Sequence, residues 1–560
     1  MRIVYAVAGL WLLLGTGYAA WFLLHDYEDL RAHYLGLGPL YRQAQWTTDF
    51  FTPTTKEAGN RWALLGLLTG PLAFGAVVRA WRSYRPEGRY RFPLGRADLP
   101  YVLLLTALLL GLWTLGHQAL PPAYDEVFSA FHIAGAGPFV ALSYYMLPNN
   151  HILFNVLNAV LFGWTGELLL TGRLVALVAY LVLGVLQYSW LRELLGQRFA
   201  AAALSVLLAV LLPVWGFATQ ARGYLPLLLF SWGAFVAVWY SLRQGGRGRR
   251  METVFAVCCV LGYATVLVFL YLHVALLIWT GWTWLRRRRV VDLYFIGSQA
   301  VAGVAILLFY LPAISFSGLE AITANRYVAP AEGYSVLDYL WRILTALPDY
   351  VNYTQLDLGT VLPFFLPFLA LAPLLLLWLG RRPWRDLGQY YLILMVTTGA
   401  IVIGMRAMPF HRSIILQLQW VGMMVALLPV ALVEGTYAVR RGGTRGAAVG
   451  VRVVAVGWLV LAGWLIWRTP EKFSLHLYYY PIVPTYQAVE ELLDVLPEGA
   501  SVGGSDEAFY PLYLLGQRRG GNRDQTTEYY IKLSEEALPP GEWSLVRKGG
   551  AGLGVWRVQE

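Results

Sequence analysis

Charged residues and cysteines are scarce in this 560-residue chain, and each scarcity excludes a class of protein. Only 14% of the residues are charged, whereas a soluble domain carries about a quarter. The only two cysteines, Cys258 and Cys259, are adjacent within an apolar stretch, so they form neither a disulfide framework nor a metal-binding motif. The composition therefore excludes an ordinary soluble domain and a disulfide-stapled one.

Apolar residues take the place of the missing charge, and they form long continuous blocks. Hydrophobic residues make up 58% of the chain, and a block of about 20 residues crosses a hydrocarbon core of about 30 Å as a helix. Because the blocks are continuous rather than alternating, they favour helices over barrel strands. The sequence predicts an all-α polytopic membrane protein with about thirteen spans, at about residues 4–24, 62–80, 99–118, 169–190, 200–216, 224–242, 252–267, 268–285, 292–313, 360–380, 388–405, 413–434 and 451–467.

The formal net charge of +10 arises from arginine clusters between the apolar blocks, so it indicates orientation rather than nucleic-acid binding. The clusters predict a multi-pass protein of the inner (cytoplasmic) membrane with its N-terminus inside and its C-terminus outside. They lie at residues 79–96, 192–198, 243–250, 286–289, 381–385 and 440–445. The predicted outer face then carries interfacial helices in long loops.

The predicted spans divide the chain into three parts. Residues 1–98 contain two N-terminal spans and an outer loop, residues 99–467 form the main membrane module, and residues 468–560 form a soluble domain outside the cytoplasm. In that last part, hydrophobic periodicity predicts a small α/β domain. Its elements are a helix at Tyr486 to Leu496, a strand at Ala500 to Gly504 and a helix at Glu507 to Leu515.

The second outer loop is rich in polar residues that could carry chemistry. Asp125 and Glu126 stand just beyond the end of a span, and Asp125, Ser129 and His132 would share one face of a helix. A carboxylate close to hydrocarbon is costly to hold, which favours a functional role. The alternative is that the two acids only cap a helix at the water interface.

Five segments in this order resemble the GT-C glycosyltransferases, the superfamily of protein O-mannosyltransferases and aminoarabinose transferases. The resemblance covers about residues 99–435, and two further spans precede it. It is carried by the Asp125-Glu126 pair, by PNNH with Asn149 and His151, by GELLLTGRLVALVAY with Arg173 and Leu174, by TQARGYLPLLL with Arg222 and Tyr224, and by MPFHRSIILQLQW with His411 and Arg412.

The resemblance implies transfer of a hexosyl or pentosyl group from a polyprenyl-phosphate donor to a lipid, glycan or protein acceptor, with inversion. Asp125 and Glu126 are the expected catalytic residues, with Asp125 as the general base and Glu126 as the first alternative for that role. The residues expected to bind the substrate or the lipid phosphate are His132, Asn149, His151, Arg222, Tyr224, His411 and Arg412.

Arginines on the predicted outer face are expected to stabilise the leaving phosphate by charge-assisted hydrogen bonds. The candidates are Arg412, Arg222, Arg406 and Arg326. The alternative for each is that it only anchors a helix end at the interface. A few outer aromatic rings, such as Tyr144, Tyr145 or Trp215, are candidates to stack on sugar, although most of the aromatic residues are typical of an interfacial belt.

No cofactor is predicted. His132 and His151, with Asp125 and Glu126, offer the ligand types for a divalent metal, but hydrogen bonding to the sugar or carrier phosphate is the favoured role. Two further functions stay open. A membrane transporter is disfavoured because the spans are nearly free of charge and the polar residues gather at one face. The other is a non-catalytic lipid-binding scaffold.

Overall fold

A computed structural model gives the fold. It describes residues 1–37, 40, 43, 46–84, 94–145, 150–243, 249–287, 292–323, 335, 337–341, 345, 365–378, 382–405, 411–439, 444–475, 482–498, 500–504, 511, 528–533, 538, 541–550 and 552–559.

The helices follow one another along almost the whole described chain. The first ten are α1 (Arg2–Leu24), α2 (Tyr27–Leu35), α3 (Pro53–Ser83), α4 (Leu99–Ala119), α5 (Tyr124–Phe128), α6 (Pro138–Ser143), α7 (Ile152–Thr165), α8 (Leu168–Leu195), α9 (Arg198–Ala209) and α10 (Leu212–Ala218). They continue as α11 (Tyr224–Arg243), α12 (Arg249–Thr265), α13 (Phe269–Arg286), α14 (Leu293–Ser317), α15 (Leu319–Thr323), α16 (Phe365–Trp378), α17 (Arg382–Met405), α18 (Ile415–Val439), α19 (Thr444–Leu475) and α20 (Ile482–Leu493). Short 3₁₀ or π turns occupy Arg96–Asp98, Trp46–Phe50, Ser129–Ala134 and His411–Ile414.

The predicted polytopic helical architecture is confirmed. Within the described ranges, nine helices are long and apolar enough to cross a membrane, and the bent pair α9–α10 brings the total to ten if it is one span. That pair bends by 73°, with Pro213 in the first turn of α10, where a proline is tolerated but cannot continue a preceding helix. The three remaining predicted spans coincide with α12, α13 and α16, which have 17, 18 and 14 residues.

The two N-terminal membrane helices pack against α14. Glycines let the three backbones approach closely, as is typical of membrane helices. A Cβ at Gly70 of α3 would lie 2.1 Å from the Thr16 hydroxyl of α1, and one at Gly15 of α1 would lie 2.7 Å from Leu308 of α14. These helices therefore support α14, the helix before the predicted outer loop at about residues 314–359.

An ion cluster joins three helix ends on the face where the arginine clusters lie. The Asp98 carboxylate accepts hydrogen bonds from Arg192 Nε (3.2 Å) and Arg198 Nε (3.1 Å) and from the Tyr188 hydroxyl (3.0 Å). This cluster fixes the start of α4 against α8 and α9. The opposite end of α4, where the second outer loop begins, is consequently held in a fixed position.

The C-terminal part contains a four-stranded sheet in the order β1-β2-β4-β3. The strands are β1 (Val502–Gly504), β2 (Tyr529–Leu533), β3 (Trp543–Lys548) and β4 (Leu553–Val558). Strands β1 and β2 are parallel and the other pairs are antiparallel. Helix α20 packs on the sheet through buried residues that include Val489 and Leu492.

The predicted α/β domain is therefore confirmed in class. Its first predicted helix corresponds to α20 and its predicted strand to β1, whereas strands β2 to β4 were not predicted. The predicted helix at residues 507–515 lies outside the described residues apart from position 511.

Candidate active site

The second outer loop folds into short helices at the end of α4. Helix α5 begins after Ala123, whose backbone N–H donates to the Glu126 carboxylate over 3.1 Å. Asp125 and Glu126 thus lie in the first turn of α5, where negative charge is favourable near the helix N-terminus. From this shared turn the two side chains enter different surroundings.

The Glu126 side chain is completely buried and forms an ion pair with Arg173 of α8. Arg173 donates from Nε over 2.6 Å and from Nη2 over 3.2 Å, and the Ala221 N–H donates over 2.8 Å. Together with the Ala123 N–H, four donors surround the two carboxylate oxygens. This geometry does not fit the expectation that Glu126 is catalytic, because a saturated, buried carboxylate cannot reach a substrate proton.

Arg173 extends this contact to the end of α4. Its Nη1 lies 3.0 Å from the His117 ring and 3.3 Å from the Leu120 carbonyl oxygen. One buried ion pair therefore joins α4, α5, α8 and the segment before α11. The sequence resemblance marked Arg173 only as the start of a span, and its pairing with Glu126 was not predicted.

Asp125 has different partners from Glu126. They are two arginines that are distant from it in the sequence. Its Oδ2 lies 2.9 Å from Arg412 Nη1 and 3.3 Å from Arg222 Nη1. The side chains of Asp125 and Arg412 are 27% and 24% exposed, whereas that of Arg222 is 3% exposed. We call these three residues the Asp125 cluster. It combines one carboxylate with two guanidinium groups at a partly open position.

His151 lies beside this cluster and is buried. The Gly223 N–H donates to His151 Nδ1 over 2.9 Å, so a neutral ring carries its proton on Nε2. Tyr224 stacks edge-on against the ring with centroids 4.8 Å apart, and the Arg222 guanidinium lies 5.5 Å from the Tyr224 ring centre. A Cβ at Gly223 would lie 3.0 Å from His151, so only glycine fits there without a shift.

Burial, followed by the charges of Arg222 and Arg412, holds the pKa of His151 well below its usual range. His151 is therefore a neutral imidazole at physiological pH. It offers a hydrogen-bond donor without adding a third positive charge to the site.

Stability should consequently depend on pH through His151. In the unfolded chain a histidine has a pKa of about 6.5, and the folded value is lower, so the unfolded state binds the proton first as pH falls. The contribution of the neutral His151 ring to the free energy of unfolding is fully present above about pH 6.5. It is lost as pH falls towards the folded pKa, by up to about 1.4 kcal/mol per pH unit. We expect His151→Asn to reduce this slope between about pH 6.5 and 5 in unfolding measurements in detergent. An unchanged slope would contradict this role, and His33→Asn, at an exposed position of α2, is the matched control.

The remaining predicted site residues are placed less centrally. His132 lies half-buried in the π turn with its ring 5.2 Å from that of Phe128. Asn150, next to the predicted Asn149, is buried and donates to the Ala141 and Tyr144 carbonyl oxygens. Predicted positions outside the described residues are Asn149, Arg326, Arg406 and the side chain of His411.

Three aromatic residues considered for sugar stacking are buried in the fold instead. Tyr144, Tyr145 and Trp215 are 3%, 7% and 1% exposed, and the Trp215 indole N–H donates to the Leu112 carbonyl over 2.7 Å. These rings therefore pack into the hydrophobic core and do not present a free face to a ligand.

The alternative of a metal site has no matching arrangement in the described part of the chain. There, no group of three or more His, Cys, Asp or Glu side chains is close enough to hold a metal ion. Asp125 and Glu126, the two carboxylates considered as ligands, are each paired with arginine.

No protein-family model matches the chain, and no curated protein matches its sequence. Among solved structures, the fold is similar to that of arabinosyltransferase EmbB from Mycobacterium smegmatis, at 13% identity and a TM-score of 0.44 over 74% of this chain. The chain spans 45% of the length of that protein. It is also similar to ArnT from Cupriavidus metallidurans in the apo state, at 14% identity and a TM-score of 0.46, over 82% of this chain and 98% of that one.

Proposed function

We propose that this protein is an integral membrane glycosyltransferase that moves a sugar from a polyprenyl-phosphate donor to an acceptor, with inversion at the anomeric carbon. The observation that carries the proposal is the Asp125 cluster, where a carboxylate meets two arginines at a partly open site. The segments that supply these three residues are the ones that resemble the GT-C enzymes. Both lines of argument therefore point to the same side chains.

The proposed chemistry assigns one role to each charge. Asp125 accepts the proton of the acceptor hydroxyl as that oxygen attacks the anomeric carbon. The bond between the anomeric carbon and the phosphate oxygen breaks, and its electron pair leaves with the lipid phosphate. Arg412 and Arg222 stabilise the negative charge that develops there.

The Asp125 cluster also suggests how the site changes when the donor binds. Before the donor binds, the Asp125 carboxylate contacts the Nη1 atoms of Arg222 and Arg412. A phosphate competes for these donors, because guanidinium groups bind phosphate oxygens two at a time. In the proposal the phosphate displaces Asp125 from the arginines and thereby makes the carboxylate accessible to the acceptor. The buried Glu126–Arg173 pair acts as a positioning pair beneath it.

The position of the cluster favours an enzyme over a transporter. Ionisable transporter sites lie near the middle of the bilayer. Asp125, Arg222 and Arg412 instead lie just outside the ends of the long helices α4, α11 and α18. In the proposal the lipid phosphate binds at that same level, near the ends of the membrane helices.

Replacing Arg412 by lysine tests this function directly. Arg412→Lys keeps the positive charge but loses the planar fork, so we expect turnover of the polyprenyl-phosphate donor to fall about 10-fold or more. Arg412→Ala should lose more. An interfacial anchor tolerates lysine, because both side chains reach the interface. Wild-type turnover in a folded Arg412→Lys protein would assign Arg412 to anchoring and leave Arg222 as the phosphate ligand.

We further propose that the site faces the outside of the cytoplasmic membrane. Arg192 and Arg198, described members of the arginine clusters, lie at the end of α4 opposite to Asp125, which is the cytoplasmic side under the positive-inside rule. The donor then has to be lipid-linked, since sugar nucleotides are cytosolic. Single cysteines introduced in the tail after Arg468 and near Asp125 should be labelled from the same side of intact cells.

The C-terminal domain is proposed to cap the outer face and shape acceptor access. Tyr486 of α20 is close enough to the membrane module for the Glu126 and Arg173 charges to act on it, and burial, followed by the Glu126 charge, raises its pKa above the usual range. We expect a chain ending at Arg468 to retain binding of the lipid-phosphate donor and to lose acceptor selectivity. Complete loss of donor binding in a folded truncated protein would instead make the tail part of the donor site.

A further inference from the structure

A pocket lies at the opposite end of the membrane bundle from the Asp125 cluster. It has a volume of about 240 Å³ and lies between α1, α3, α12 and α14, with Tyr5, Ser83, Tyr84, Arg249, Arg250 and Tyr294 among its lining residues. Helix α11 connects the two ends, from Tyr224 beside the Asp125 cluster to Arg243 shortly before α12. Helix α12 runs from Arg249 in the pocket to Thr265, which lies against Gly223 beside His151, and its 17 residues are about 25 Å long, so this pocket is not part of the catalytic site.

The pocket combines arginines with hydroxyl groups. Arg249 and Arg250 are the first two residues of α12 and are exposed, and the Arg249 guanidinium lies 5.4 Å from the centre of the Tyr294 ring. The Tyr5 hydroxyl lies 3.1 Å from that of Tyr294 and 3.2 Å from that of Thr253. None of the described lining residues is acidic.

Two neighbouring features increase the attraction for anions. An adjoining surface depression is lined by Arg79 and Arg82 and meets the pocket at Ser83. Helices α1, α12 and α14 begin at this end of the bundle and α3 ends there, so the positive ends of three helix dipoles and the negative end of one lie nearby. Asp292 already caps α14 by accepting from the Tyr294 N–H over 2.8 Å, whereas Glu252 of α12 is 1% exposed and does not line the pocket.

We propose that this pocket binds a phosphate-bearing anion, the phosphodiester head group of an anionic phospholipid. Guanidinium groups bind phosphate oxygens by paired, charge-assisted hydrogen bonds. Basic pockets between membrane helices at the cytoplasmic surface are suited to such head groups. The adjoining helices also present apolar surface to lipid, including the exposed Leu72 of α3 and Ile296 of α14. A bound lipid would therefore join α1 and α3 to α12 and α14.

The binding of short-chain lipids to the purified full-length protein tests this proposal. We expect dioctanoyl phosphatidylglycerol to bind in detergent, and Arg249→Gln and Arg250→Gln each to weaken that binding about fivefold. Arg286→Gln is the matched control, because it removes one exposed arginine at the end of α13, outside the pocket. The control should change the affinity less than about twofold. Gel filtration and thermal unfolding establish that each variant is folded.

Three results would overturn the proposal. Equal affinity in the pocket variants and in the wild-type protein, or equal weakening in Arg286→Gln, would show that the lipid binds elsewhere or by general surface charge. Inorganic phosphate is tested in parallel. If it binds as tightly as phosphatidylglycerol, and with the same dependence on Arg249, the ligand is a soluble phosphate and not a lipid.

Discussion

Asp125→Asn is expected to reduce turnover about 100-fold or more, with the fold intact. Asparagine keeps the shape of the side chain but cannot accept the proton of the acceptor hydroxyl. The same change removes the negative charge that lies 2.9 Å from Arg412 and 3.3 Å from Arg222. Since both arginines then have no carboxylate competing with the lipid phosphate at this position, donor binding should stay unchanged or become tighter.

A fall in turnover without a loss of donor binding in Asp125→Asn distinguishes a catalytic base from a carboxylate with a purely structural role. Initial rates with a polyprenyl-phosphate sugar and the affinity for the lipid phosphate are measured on the same protein. Asp29→Asn is the matched control, because Asp29 is an exposed acid of α2 away from the Asp125 cluster. Near-normal turnover in Asp125→Asn would contradict the role of Asp125 as base.

Glu126→Leu is expected to destabilise the folded protein by about 3–5 kcal/mol, because it leaves the Arg173 guanidinium buried without its counter-charge. Both side chains are at most 4% exposed, so water cannot replace the lost carboxylate. The double variant Glu126→Leu/Arg173→Met should recover much of that loss, since it removes both charges together. Unfolding in detergent of the wild-type protein, Glu126→Leu, Arg173→Met and the double variant measures the four free energies of the cycle.

The exposed pair Glu28–Arg31 provides the control for this prediction. Its atoms are 3.6 Å apart and its side chains are 74% and 42% exposed. Glu28→Leu should therefore change the free energy of unfolding by no more than about 1 kcal/mol. If Glu126→Leu were as mild as Glu28→Leu, the buried pair would not be the positioning element described here.

The membrane architecture could be predicted from the sequence because its signals are local. An apolar run of about 20 residues and a cluster of arginines beside it each specify a span or its orientation without reference to distant residues. The bend between α9 and α10 was not predicted, although Pro213 is a local signal for it. Strands β2 to β4 were missed because they are five or six residues long and lack a clear alternation of burial.

The candidate site could be predicted only in part, because its contacts join distant segments. Asp125 and Arg412 were each selected through the family resemblance, but nothing local to either residue predicts their separation of 2.9 Å. The two adjacent acids look equivalent in sequence. Their roles differ because one turn of α5 directs Glu126 towards the buried Arg173 and leaves Asp125 27% exposed.

The central claim is that the arginines of the Asp125 cluster receive the phosphate of a lipid donor. The most direct test is an experimental structure of the full-length protein with a polyprenyl monophosphate. We expect the phosphate within about 3 Å of the guanidinium groups of Arg412 and Arg222, with the Asp125 carboxylate displaced from them and open to the acceptor side. A phosphate bound elsewhere, with Asp125 still paired to both arginines, would contradict the account.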